Sequence, residues 1–223
     1  MVPRFFGPAP CQGPTGLRPL RAVALALLLA APAMAHHAPG HGDGTTGTSS
    51  GAWTVVGEAS RLTVVSVKNN AVAEVHRFTG ISGSVGADGS AQLRIALDSV
   101  DSGIPVRDQR LRELLFDTAK FPEAHARLRL DPAPVRELAV GASLELSAPV
   151  ALELRGVPRE VAATLRITRL ANDHWLVVTE QPVVVDAVAF GLNDGIAALR
   201  EVAGLHDIAT ALPVSLVLVL DGD

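Results

Sequence analysis

A chain of 223 residues that is 48% hydrophobic but only 4% aromatic, with no Tyr, has room for one barrel-sized domain whose interior Val, Leu and Ala must fill. Acidic residues (23) outnumber basic ones (19), and three of the basic ones, Arg4, Arg18 and Arg21, precede Ala35; the remainder carries 16 basic against 23 acidic residues, a net charge of −7 and the wrong sign for binding a nucleic-acid backbone. The single cysteine, Cys11, lies in the same leading stretch, so disulfides, thiol catalysis and thiolate metal sites are excluded from everything after it.

Residues 1–35 have the three parts of a secretory signal: the arginines, the unbroken apolar run Ala22 to Ala31, and the small-x-small site Ala33-Met34-Ala35. The apolar run falls short of the roughly 20 residues that span a bilayer, and Pro32 and His36 end it. A signal peptide cleaved after Ala35 is therefore expected, with no lasting membrane anchor and a periplasmic destination. Residues 36–52 (HHAPGHGDGTTGTSSGA) form a His/Gly/Ser-rich flexible linker. Its His36, His37, His41 and Asp43 are metal-binding residue types, but a floppy segment does not preorganise ligands, and no metal site is assigned to it. The folded domain is expected over 53–223.

From Trp53 the pattern becomes that of strands. Leu62, Val64 and Ser66 alternate with Thr63, Val65 and Val67, and Leu93, Ile95 and Leu97 alternate with Arg94, Ala96 and Asp98. Gly86-Ala87-Asp88-Gly89 predicts a hairpin turn. Val106 to Phe116 shifts to a helical period, with Val106, Leu111, Leu114 and Leu115 gathered on one side, and Phe121-Pro122 closes it. Strands resume over Ala124 to Leu130 and Ser143 to Leu154. Gly156-Val157-Pro158 predicts a turn into Glu160 to Arg169. Trp175 to Val185 is β-rich and broken by Pro182, which belongs at an edge or bulge. Leu192 to Ala203 predicts a second helix, with Ile196, Leu199, Val202 and Ala203 on its inner face and Gly204 as its cap. The apolar run Leu212 to Leu220 is either a strand covered on both faces or the one that closes a barrel. At least seven strands and two short helices favour an all-β closed antiparallel barrel or sandwich over an α/β sheet.

Three ordered blocks then carry a resemblance. Ser99-Val100-Asp101-Ser102-Gly103 runs into Val106-Arg107-Asp108-Gln109-Arg110-Leu111 and on to Leu115-Phe116-Asp117 and Phe121-Pro122-Glu123-Ala124. Leu154-Arg155-Gly156-Val157-Pro158-Arg159-Glu160-Val161 and Ala189-Phe190-Gly191-Leu192 follow. Together they resemble the YceI family of polyisoprenoid-binding, lipocalin-like periplasmic proteins. The resemblance implies an eight-stranded antiparallel barrel whose apolar tunnel takes an isoprenoid, such as a quinone tail or a polyprenyl phosphate, often in a homodimer. The chain departs from the family's pattern at Lys68-Asn69, near Arg110 and at Ala189.

No Gly-x-Ser-x-Gly elbow, phosphate loop or His-Glu-x-x-His is present, so the chain reads as a non-enzyme with no cofactor beyond a bound lipid. His76, His125, His174 and His206 stand singly and read as surface or satisfied polar residues. Arg107 and Arg110, three apart on one helix face, are the candidate head-group residues, set against the alternative that they pair with Asp108, Glu113, Asp101 or Asp117. The candidate lining is Leu93, Ile95, Leu97, Leu144, Leu146, Leu152, Leu165, Ile167, Val183, Val185, Leu216 and Leu218. The rival to a ligand-filled lumen is a barrel packed solid by these same side chains, serving as an interaction or stress-related module.

Overall fold

The computed structural model describes residues 52–170 and 173–222. The signal-peptide reading, and the linker reading with its histidines, lie outside them except for Ala52.

Twelve extended segments merge into eight bent antiparallel strands. β1 comprises Trp53–Val55 and Arg61–Lys68, and β2 comprises Val72–Phe78 and Ile81–Val85. β3 comprises Ser90–Ala96 and Val100–Asp101; β4 is Glu123–Arg129, β5 Ser143–Leu154 and β6 Val157–Arg169. β7 comprises His174–Thr179 and Val183–Asp186, and β8 is Ala211–Gly222. Each strand pairs with the next in sequence, and β8 returns to β1 through Val214↔Val64 and Trp53↔Gly222, so the meander closes into a barrel with no free edge. The run Leu212 to Leu220 is thus the closing strand.

The bends have local causes. A 3₁₀ turn at Gly57–Ala59 breaks β1, another at Leu97–Ser99 breaks β3, and Pro182 lies in the gap of β7, as its missing N–H requires. β2 bends at Gly80, where a Cβ would come within 2.8 Å of the Ala96 side chain. The Gly86–Gly89 hairpin forms as expected, with the Gly86 N–H donating to Ser90 O at 2.8 Å.

Three expectations need correction. The β5–β6 turn is Arg155-Gly156, both at positive φ, so β6 starts at Val157 rather than Glu160 and its register runs unbroken from Leu154↔Val157 to Ser143↔Thr168. The first helix is two pieces, α1 (Pro105–Arg110) continuing as π-helix over Leu111–Phe116. The wider π turns bury Leu111 and Leu115 while Val106, assigned to the inner face by a 3.6 period, is 55% exposed. A further helix, α2 (Pro132–Arg136), follows β4, with the Asp131 carboxylate accepting from the Ala133 N–H at 3.0 Å.

The last helix, α3 (Asn193–Ala203), ends at Gly204 in the left-handed conformation, with Leu205 N–H donating to Arg200 O at 2.9 Å. Val202 and Ala203, both expected on the inner face, are exposed, and the buried residue of α3 is Gly195, because the helix rides directly on the π-helix, where a Cβ would meet Leu114 O at 2.6 Å. No helix among the described residues is long and apolar enough to cross a membrane.

Candidate functional site

The barrel interior is not packed solid. A cavity of about 190 Å³ occupies one half and one of about 280 Å³ the other, and Leu62, Ile95, Leu152, Val185 and Val214 line both. The two are adjacent chambers of one barrel, and these five side chains lie between them. Each exceeds the roughly 150 Å³ of an engineered apolar cavity that stays dry and takes up benzene.

The walls follow from strand alternation, since inward residues recur every second position. Of the twelve expected lining residues, Leu93, Leu165, Ile167, Val183, Leu216 and Leu218 line the first chamber, Leu97 the second, and Ile95, Leu152 and Val185 both. Leu144 and Leu146 do not reach the cavity; they pack against the core beside their partners Ile167 and Leu165. Alternation gives a residue's face but not its depth along the barrel.

The first chamber is bounded by α2, through Pro132 and Val135, and by Trp53 and Trp175, whose rings meet edge to face with centroids 5.9 Å apart. Arg136 stacks over Trp53 and Arg169 over Trp175. Side chains here are overwhelmingly apolar.

The second chamber is walled by α1, the π-helix and α3, and holds a polar group at one side: Ser66, Lys68, Glu74, His76, Arg107 and Arg110. Four of these lie on the inward face of the β1–β2 ladder, where Ser66 opposes Glu74 and Val64 opposes His76. Glu74 accepts from Lys68 Nζ at 2.7 Å and pairs with the Arg107 guanidinium. Partial burial pushes the Glu74 pKa up, but the two cations outweigh it and hold the carboxyl below its usual value. Arg107 also donates through Nε to Ser102 Oγ at 2.9 Å, and Ser102 is fixed by the buried Asp108, which accepts from its N–H and its hydroxyl. Arg112, farther along, donates to Asp98 O at 2.7 Å and ties the π-helix to the 3₁₀ bend of β3.

Arg107 and Arg110 therefore both line the chamber, and Arg107 pairs with Glu74 rather than with any of the four carboxylates weighed from sequence. Arg110 has no ion-pair or hydrogen-bond partner among the described residues, and Glu113 receives Gln109 instead.

The sequence reading missed His76. It is 8% exposed, lies against the chamber, and hydrogen-bonds Ser66 Oγ through Nε2 at 2.8 Å, while Nδ1 is buried with no protein partner. Burial, and then the Arg107 charge, lower its pKa below the usual histidine value, so the ring is neutral at pH 7. The turn that sets this register is Asn69-Asn70-Ala71, with both asparagines at positive φ; it pairs Lys68 with Val72, and counting back from that pair places Ser66 opposite Glu74. His125 and His174 sit beside Glu123 and Asp221. No cluster of three metal-ligating side chains occurs among the described residues.

The sequence matches the family model described as YceI-like domain over residues 53–220. A solved structure described as a polyisoprenoid binding domain from Saccharophagus degradans implicated in plant cell wall breakdown is 37% identical, with a TM-score of 0.75, and the alignment covers 77% of this chain and 98% of that one. Burkholderia cenocepacia BcnA shares the fold at 19% identity and a TM-score of 0.55, over 74% of this chain and 98% of its own. No curated protein matches the chain.

Proposed function

This chain belongs to the YceI-like domain family, and from that premise and its two-chambered interior we propose that it is a non-catalytic, exported carrier that holds an isoprenoid of the quinone or polyprenyl phosphate type for transport or sequestration. The observation that carries the reading is the pair of adjacent chambers inside one barrel, one apolar and one with polar groups along one side. A long apolar tail with a small polar head fits that division. Each buried CH₂ contributes about 0.8 kcal/mol, so a five-carbon isoprene unit contributes about 4 kcal/mol before the tail's ordering entropy is subtracted. Leu93, Ile95, Leu165 and Leu218 would hold the tail, with Arg110 beside the head and Arg107 shaping its place. The 37% identical polyisoprenoid binding domain supports the ligand class. The signal-like residues 1–35 support export to the periplasm, where a prenyl lipid has no aqueous solubility of its own.

The protein carries its own probe, because its two tryptophans both line the first chamber and it has no Tyr. Titration with a detergent-dispersed prenyl quinone is expected to quench Trp emission saturably at one molecule per barrel. Emission that no prenyl quinone, alcohol or phosphate changes would favour a barrel acting as an interaction module.

A further inference from the structure

The polar groups of the second chamber are nearly used up by one another, and what remains describes the head group. Glu74 takes Lys68 and Arg107, Arg107 takes Ser102, and Ser66 takes one nitrogen of His76. The remainder is His76 Nδ1, buried and without a protein partner, and the Arg110 guanidinium.

We propose that the Ser66–His76 pair is the specificity element of this chamber and selects an uncharged oxygen head group, carbonyl or hydroxyl, over a phosphate. The inference rests on the barrel holding a prenyl ligand, and it names which one. A serine hydroxyl both donates and accepts. When Ser66 donates to Nε2, the neutral ring carries its proton on Nδ1 and offers a donor to a carbonyl. When Nε2 donates to Ser66, Nδ1 is an acceptor for a hydroxyl. The pair thus meets either head group by rotating one hydroxyl and changing tautomer, with no change in net charge. Arg110 supplies a second donor to the same oxygen.

Glu74 supplies the discrimination against phosphate. Glu74 already takes up Lys68 and Arg107, so among the charged side chains that line the chamber only the Arg110 guanidinium is left uncommitted. A phosphate monoester brings about −1.5 to −2 at pH 7 and must sit beside a carboxylate that already holds two of the cations. Like charges brought close in a poorly solvated wall repel more strongly than they do in water.

The test uses purified protein and four ligands with one C20 prenyl tail: geranylgeraniol, geranylgeranylacetone, geranylgeranyl monophosphate and the corresponding hydrocarbon. The alcohol and ketone are expected to bind at least tenfold more tightly than the hydrocarbon or the phosphate. His76→Phe should bring alcohol and ketone down to the hydrocarbon's affinity, and Ser66→Ala should weaken both about tenfold. Glu74→Gln should raise phosphate affinity at least tenfold over the wild-type protein. Tightest binding of the phosphate by the wild-type protein, or alcohol and ketone affinities that survive both His76→Phe and Ser66→Ala, would overturn the inference and leave the carrier reading standing. Failure of all four ligands on the wild-type protein would sink both.

Discussion

At His76 a sequence of ordinary residue types yields an unusual environment: an imidazole 8% exposed, against an apolar cavity, within reach of the Arg107 charge. Its lowered pKa has a consequence for stability. The unfolded chain takes up a proton near pH 6.5, while the folded ring resists it to lower pH, so between those values the unfolded state binds more protons. The contribution is complete above about pH 6.5 and is lost as pH falls from there through the folded value. The urea midpoint of the wild-type protein should therefore drop between pH 7.5 and 5, and the drop should be smaller in His76→Gln. Identical pH profiles for the two proteins would show that the ring is not held neutral. Glu74 acts in a different window: its carboxylate is favoured above pH 4.5, and that stability goes only in stronger acid. Neither residue announced itself by type. Ser66, Glu74 and His76 become a site only once the Asn69-Asn70 turn sets the register that faces them into the barrel.

The strands were the most legible elements, because a barrel wall needs inward apolar residues at every second position and the alternation survives in β3 and β5. At least seven strands could be read from the residue pattern and eight from the family resemblance, and of the two roles open to the last apolar run it takes the closing one. The helices were read less well, each for a physical reason. α2 is only five residues and contains two prolines, so it has no apolar period to detect. The π turns of Leu111–Phe116 shift the buried face off a 3.6-residue period and put Val106 outside. In α3 the innermost residue is a glycine, chosen for closeness rather than for apolar area, and hydrophobicity patterns do not register it. Gly195→Val is expected to cost about 1–3 kcal/mol, because its Cβ must push α3 off the Leu114 carbonyl. Thermal unfolding would show this as a fall in Tm, and an unchanged Tm would mean that the contact between α3 and the π-helix is looser than 2.6 Å implies.

For the molecule as a whole, the sequence left open whether the barrel is filled or hollow, because the same leucines and valines serve a dry core and a lined tunnel. Ten of the twelve expected lining residues do face a cavity, and the polar side of the second chamber makes the two halves of the interior different. The scarcity of aromatics contributes: with only two Trp and six Phe, few side chains are large enough to plug an eight-stranded lumen. Ala163, buried on β6 in the wall of the first chamber, marks where a plug could be built. Native and then denaturing mass spectrometry of the wild-type protein and of Ala163→Phe, each purified without detergent from the protein's own host, tests the hollow-carrier account most directly. The account predicts one extractable prenyl lipid per wild-type barrel and little or none in a folded Ala163→Phe. A wild-type protein that comes off empty and stays empty when prenyl quinones and polyprenyl phosphates are added would contradict it.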